Sequence, residues 1–284
     1  MIIDRLYEAV EKKGHVCVGL DTSLDYIPKD FLNKFASPYD ALFEFNKRII
    51  DTTEDVVACF KVQIAYYEAL GIEGMKVYSK TVKYLKSRGN IVIGDIKRSD
   101  ISDTAKMYAR AHFEGDFEVD LITVNPYMGI DSIIPFLEYV DKEKGIFVLV
   151  KTSNPSCKDL QTLYAGGKRV FERVYDFLKP YIEKNLGKYG YSPIGAVVGC
   201  TNSDEALDIR KKLNGMFFLI PGYGAQGGGA EDVKRLLVDG NGGVVNSSRG
   251  ILLAYKKYED DFDIAARKEV LRMREEITNA IQIP

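Results

Sequence analysis

Histidine is almost missing from this chain, which contains only His15 and His112. Its four cysteines, Cys17, Cys59, Cys157 and Cys200, show no CxxC spacing, so no His/Cys metal site is expected. Three of the cysteines lie in or at the end of apolar, strand-like runs, where a buried thiol is the ordinary interpretation. Such usage fits a reduced, cytoplasmic compartment. A basic excess is also lacking. Lys and Arg number 39 against 41 Asp and Glu, a net charge of −2, which removes the electrostatic footprint of a nucleic-acid binder. Long hydrophobic stretches are absent too. Ile91-Val92-Ile93 and Ile146–Val150 fall far short of the ~20 residues that span a bilayer, so no membrane association is expected. The start, Met1-Ile2-Ile3-Asp4-Arg5, is acidic by its fourth residue and lacks an h-region, so no signal peptide is expected.

The 284 residues are 46% apolar and 28% charged, which suits a globular protein. A prior of ~150 residues per domain allows two domains, while α/β barrels fill roughly 200–250 residues as one. Eight short, nearly continuous apolar runs organise the chain: His15–Leu20, Val57–Val62, Ile91–Gly94, Val119–Val124, Ile146–Val150, Ile194–Gly199, Phe217–Ile220 and Gly243–Val245. Each suits a strand buried on both faces. Between them lie helical patterns. Tyr39–Thr52 spaces Leu42, Phe43, Phe45, Ile49 and Ile50 helically, and Ile130–Val140 does the same with Ile133, Ile134 and Leu137. Asn202 is placed to cap Ser203–Leu213, and Asp261–Ile281 forms a long terminal helix. Strand–helix alternation implies parallel βαβ units, and eight of them predict a (β/α)8 TIM barrel. An open doubly wound sheet is the runner-up, but no GxGxxG follows the first run. No linker, low-complexity tract or charge block divides residues 1–284, so a single domain is expected. Two connections, about 21–55 and 151–193, are long and should lie at the catalytic face. Within the second, Asn154–Gly167 suits a mobile cover or a surface excursion without a role.

Barrel chemistry belongs at the C-terminal ends of strands, and polar residues collect there. Asp21 ends the first run, Lys61 falls in the second, Asp95 and Lys97 end the third, and Lys151, Thr152 and Ser153 end the fifth. On a strand of period two, Asp95 and Lys97 share a side, and Ser99 or Asp100 then starts a helix with Asp100 and Thr104 on one face. Capping and rim ion pairs would explain part of this cluster. Two carboxylates ~4 Å apart repel by ~4 kcal/mol at an effective dielectric of ~20, so Asp95 and Asp100 need Lys97 and Lys61 between them. Such alternation keeps Lys97 protonated, making it a proton donor and not a Schiff-base amine. A substrate carboxylate beside these acids would be strained, and loss of CO2 would relieve the strain. The array therefore predicts decarboxylation with Lys97 protonating the carbanion. The seventh run ends in Pro221-Gly222-Tyr223-Gly224-Ala225-Gln226-Gly227-Gly228. Five glycines between 222 and 229 suit a phosphate grip, with Arg249 after the eighth run as a bidentate partner.

Asp95-Ile96-Lys97-Arg98-Ser99-Asp100-Ile101, followed by Thr104, resembles the D-x-K-x-x-D-I-x-x-T signature of the orotidine 5′-phosphate decarboxylases. Gly19-Leu20-Asp21, Phe60-Lys61-Val62, Lys151-Thr152-Ser153-Asn154-Pro155, the Pro221–Gly227 segment and Ser248-Arg249-Gly250 match in order, so the resemblance covers nearly the whole barrel. The long connections are similar to the type 2 branch. The resemblance implies cofactor-free conversion of orotidine 5′-phosphate to UMP, the last step of de novo pyrimidine nucleotide synthesis. Lys61, Asp95, Lys97 and Asp100 would be the catalytic array, with Lys97 protonating C6. A homodimer is implied, with Asp100, Ile101 and Thr104 entering the neighbouring site. Asp21 and Lys61 would bind ribose hydroxyls, Ser153 or Thr152 the pyrimidine edge, and Gln226 both base and phosphate. Arg249 and nearby amides, in the Pro221 and Gly227 segment, would hold the phosphate, and Gln63 would also reach the ligand. No metal is implied. A metal-dependent sugar-phosphate decarboxylase or aldolase shares D-x-K-x-x-D, though Arg98, Ile101 and Gln226 argue against it. A non-catalytic phosphate-binding barrel would have no reason to crowd Asp95 and Asp100 together.

Overall fold

The computed structural model describes residues 1–201, 205–224 and 227–282. Its eight predicted runs all become strands of one closed barrel. In chain order these are β1 (Val16–Leu20), β2 (Cys59–Gln63), β3 (Val92–Arg98), β4 (Leu121–Val124), β5 (Gly145–Lys151), β8 (Ser192–Val198), β9 (Met216–Ile220) and β10 (Gly243–Ser247). The order around the barrel is β1-β10-β9-β8-β5-β4-β3-β2, and every barrel pairing is parallel. The intervening β6 (Tyr164–Ala165) and β7 (Lys168–Arg169) form a separate antiparallel hairpin.

β3, β5 and β10 run past their apolar runs to Arg98, Lys151 and Ser247. Backbone pairing thus continues where side chains turn polar, which sets functional groups on rigid strand. Both long connections carry helices, Pro38–Thr53 in the first and Val170–Lys184 in the second. One buried apolar cluster extends from Val16 to Ile277, filling the layer between strands and helices. A second fills the barrel's lower interior and is closed by the helix Ile2–Lys13 through Ile2, Ile3, Leu6 and Val10. That helix was not anticipated from the sequence, although its apolar spacing of 2, 3, 6 and 10 carries the signal.

Two helical expectations are corrected. Ile130–Val140 is not one helix but a 3-10 turn (Ile130–Ser132), a single α turn (Ile134–Leu137) and another 3-10 turn (Val140–Lys142). Pro135 supplies no N–H and crowds the preceding turn, so it can only begin a helical segment there. The segment after β3 becomes helical at Ser102, with Ile101 as N-cap, and not at Ser99 or Asp100. Because β3 continues to Arg98, residues 99–101 are needed for the turn. Asp100 consequently shares no helical face with Thr104. The helix expected from Ser203 is described over Ala206–Lys212, while Asn202 lies outside the described residues.

Candidate active site

At the C-terminal end of the barrel lies a cavity of about 560 Å³ lined by residues from most of the strands. Its polar centre is a chain of alternating charge. Lys61 Nζ lies 2.9 Å from Asp21 Oδ1 and 2.9 Å from Asp95 Oδ2, and Lys97 Nζ lies 2.5 Å from Asp95 Oδ1. Neighbouring strands create this proximity: Gly19 pairs with Lys61, and Gln63 with Asp95. Gly19 has a steric role here, since a Cβ at that position would fall 1.9 Å from Ser248 Oγ and 2.8 Å from Asn246 Oδ1.

Asp95 accepts four hydrogen bonds. Gln63 Nε2 at 2.8 Å joins Lys61 on Oδ2, and Thr123 Oγ1 at 2.8 Å joins Lys97 on Oδ1. Burial opposes the Asp95 charge, but Lys61 and Lys97 outweigh it and hold the carboxyl well below the usual carboxylate range. Burial likewise opposes the Lys61 charge, and Asp21 with Asp95 reverses that effect, raising the ammonium above its ordinary value. The side chain of Lys97 is 46% exposed, against 9% for Asp95 and 4% for Lys61. All four members of the array line the cavity, and Lys97 is the most exposed of them.

The carbon positions differ from a regular strand. Lys97 has φ 46°, and pairing between β3 and β4 jumps from Gly94–Ile122 to Arg98–Val124. A bulge, and not simple period two, brings Lys97 back to Asp95. Asp100 does not join the array within this chain; its Oδ1 accepts from the Ile101 N–H at 2.8 Å. Asp21 occupies the outer acidic position instead. Asp100, Ile101 and Thr104 lie outside the cavity lining, and Ile101 and Thr104 are exposed.

Among the expected ligand residues, Asp21, Gln63, Thr152, Ser153, Pro221 and Arg249 line the cavity. The Thr152 hydroxyl accepts from Gln161 Nε2 at 2.8 Å and donates to Asn154 Oδ1 at 2.6 Å. Ser153 is packed over Gly199, where a Cβ would fall 2.6 Å from Ser153 Cα. Lys151 is buried outside the cavity lining and donates to Cys157 Sγ at 3.1 Å. Gly227 is not in the lining; its N–H donates to Gly224 O at 2.9 Å, and the Gly224 and Gly228 N–H groups are also used within the turn. Gln226 lies outside the described residues.

Sequence reasoning missed Thr123, Asn246, Gln161, Tyr66 and Tyr223, which also line the cavity. Parity offered a signal for two of them. Thr123 is two residues from inward-facing Leu121, and Asn246 two from Val244. Gln161 had no such signal, because it lies in the turn that follows the 3-10 helix Pro155–Asp159 and not on a strand.

A family model described as "Orotidine 5'-phosphate decarboxylase / HUMPS family" matches residues 14–260. Among similar curated proteins are the orotidine 5′-phosphate decarboxylases of Clostridium tetani and Clostridium perfringens strain 13. The first is 61% identical over 99% of both chains, and the second 60% identical over the same shares. The solved OMP decarboxylase of Leishmania donovani aligns with a TM-score of 0.76 at 30% identity, covering 100% of this chain and 99% of its own. The UMP synthase of the same organism aligns with a TM-score of 0.78 at 33% identity, over 98% of this chain and 56% of that longer one. Family match, near-complete coverage and barrel geometry agree: the chain belongs to the orotidine 5′-phosphate decarboxylase / HUMPS family.

Proposed function

We propose that this chain is a carboxy-lyase that converts orotidine 5′-phosphate to UMP and CO2, serving pyrimidine nucleotide synthesis without a cofactor. The observation that carries this is the Asp21–Lys61–Asp95–Lys97 array at the barrel mouth, with Lys97 as its exposed end. Breaking the C6–carboxylate bond leaves an electron pair on C6. The Lys97 ammonium donates a proton to that carbon and later regains one from solvent. Asp95, held anionic by two lysines, pairs with the Lys97 ammonium and disfavours a second carboxylate beside it. Only the departing group loses its charge, so the electrostatic stress falls as the reaction proceeds.

Asp21 and Lys61 serve the ribose hydroxyls, and Ser153 the pyrimidine edge. The engagement of the Thr152 hydroxyl by Gln161 and Asn154 supports Ser153 in that role. Arg249 serves the phosphate with Pro221 and Gly227, which follow the neighbouring strand β9, and with Gln226, which lies outside the described residues. Gln63 acts on the ligand through Asp95. Asp100, Ile101 and Thr104 complete the site of a second copy in a homodimer, which their position outside this chain's own cavity supports. The whole chain acts as one (β/α)8 domain of the type 2 branch, in the cytoplasm.

The direct test follows absorbance loss of orotidine 5′-phosphate with purified protein, with and without EDTA. Turnover unaffected by EDTA is expected. No turnover would overturn the assignment, and activity abolished by EDTA would return it to a metal-dependent relative. Mixing inactive K97A with inactive D100A protein tests the shared site. Restored activity is expected, because mixed dimers regain one intact site.

A further inference from the structure

One side chain stands at the centre of the bulge that presents Asp95 and Lys97. β3 and β4 pair at Ile93–Leu121 and Gly94–Ile122, and next at Arg98–Val124. Asp95, Ile96 and Lys97 therefore face a single residue, Thr123. Three residues against one cannot satisfy the backbone through a regular parallel ladder. Thr123 Oγ1 replaces that ladder, accepting from the Ile96 and Lys97 N–H groups at 3.0 Å each. Its two acceptor sites are then filled, and its one proton goes to Asp95 Oδ1 at 2.8 Å. Thr123 is 1% exposed, so solvent does not substitute for these bonds. Lys97 has φ 46°, a conformation disfavoured for a residue with a Cβ and retained only where surrounding contacts impose it. Asp95 Oδ1, the oxygen that Thr123 holds, is also the one that receives Lys97 Nζ.

We infer that Thr123 is a positioning residue for the decarboxylation, its hydroxyl locking the bulge that aims Lys97 and orienting the carboxylate that holds the Lys97 ammonium. The inference rests on the proposed role of Lys97. Thr123→Val keeps the shape and removes the hydroxyl, whereas Thr123→Ser keeps the hydroxyl and removes only the methyl group. Phosphate and ribose contacts come from other strands, so the damage belongs in kcat more than in KM. Folded T123V should lose roughly 30-fold or more in kcat with KM changed less than about threefold, as expected for a misplaced catalytic group. T123S should retain kcat within about threefold of wild type. In a crystal structure of T123V, Lys97 should leave its positive φ or Nζ should move away from Asp95.

A folded T123V with kcat within about threefold of wild type would overturn the inference. So would a T123S that is as slow as T123V, and T123S decides the matter against wild type if T123V does not fold. A wild-type protein without decarboxylase activity would instead overturn the function. In that event the Lys97 conformation in wild-type and T123V crystals still judges the structural role of Thr123.

Discussion

The two ends of the barrel interior are built from the same strands and the same inward-facing rows, yet they do opposite work. On β2 the row passes from Cys59 to Lys61 to Gln63, on β4 from Leu121 to Thr123, and on β10 from Val244 to Asn246. The lower end packs Ile93, Phe147 and Phe217 with the Ile2–Lys13 helix. The upper end buries Lys61 and Asp95 as paired charges. Stability at the bottom comes from apolar area removed from water, about 25 cal/mol per Å². The mouth gives up such burial for charges whose desolvation is offset by their attraction to one another. One strand can therefore serve both ends, with the change occurring over two residues.

The contrast makes the sharpest demand at Lys97. Lys97→Ala should lower kcat by about 10²–10⁴-fold, the usual range for a general acid, with little change in the thermal midpoint because the side chain is half exposed. A steady-state assay beside a melting curve checks it, and unchanged turnover would remove Lys97 from its assigned role. The mirror experiment belongs at the bottom. Phe217→Ala, at a fully buried position, should cost about 3–5 kcal/mol of stability by denaturant unfolding while the remaining folded protein keeps its kcat. A large loss of kcat there would show that the two ends are not separable.

Acid distinguishes paired from unpaired buried groups. Burial, aided by the nearby Arg98 charge, pushes His112 from 6.5 down to about 4, and its Nδ1 has no hydrogen-bond partner among the described residues. A lowered folded value means that the unfolded chain takes up the proton first. The contribution of His112 is complete above pH ~6.5 and is lost as pH falls toward about 4, reaching about 3 kcal/mol. Asp95 behaves differently. Its carboxyl is held low in the folded state, so its contribution persists above the ordinary carboxylate value and is lost only in stronger acid. Urea unfolding at pH 7 and pH 4.5 should therefore show a decline that His112→Gln reduces. An identical decline in that variant would assign the loss elsewhere.

The smallest expected effect separates the neighbouring hydroxyls at the mouth. Ser153→Ala should lower kcat/KM about tenfold, the cost of one hydrogen bond in the transition state. Thr152→Val should instead cost about 1 kcal/mol of stability, because its hydroxyl holds Gln161 and Asn154. Reversed outcomes would move the base contact to Thr152.

Much of this was legible along the chain. All eight barrel strands were marked by apolar runs bounded by polar residues, because strands buried on both faces admit few polar side chains, whereas the short exposed β6–β7 hairpin was not. Asp21, Lys61, Asp95 and Lys97 were legible as strand-end charges in an architecture that places chemistry there. The Ile130–Val140 pattern misled because periodicity records which residues are buried and does not weigh a proline within the segment. The helix after β3 was placed early because nothing local marks a bulge. Asn46, buried in the predicted 39–52 helix, donates to the Tyr67 hydroxyl and accepts from Thr22 behind Asp21. No periodic signal announces a polar side chain whose partners are more than twenty positions away.

By itself the sequence determined the number of barrel strands, their parallel order and the residue types available at their ends, because burial and chain direction act locally or repeat regularly. The tertiary structure decided that Asp21, and not Asp100, completes the charge alternation within one chain. It also decided that a left-handed Lys97 opposite Thr123 brings the ammonium to Asp95. Both depend on strands 26 to 40 residues apart in the chain meeting in a particular register. Hydrogen-bond directions across that register are properties of the closed barrel, and no stretch of sequence contains them alone.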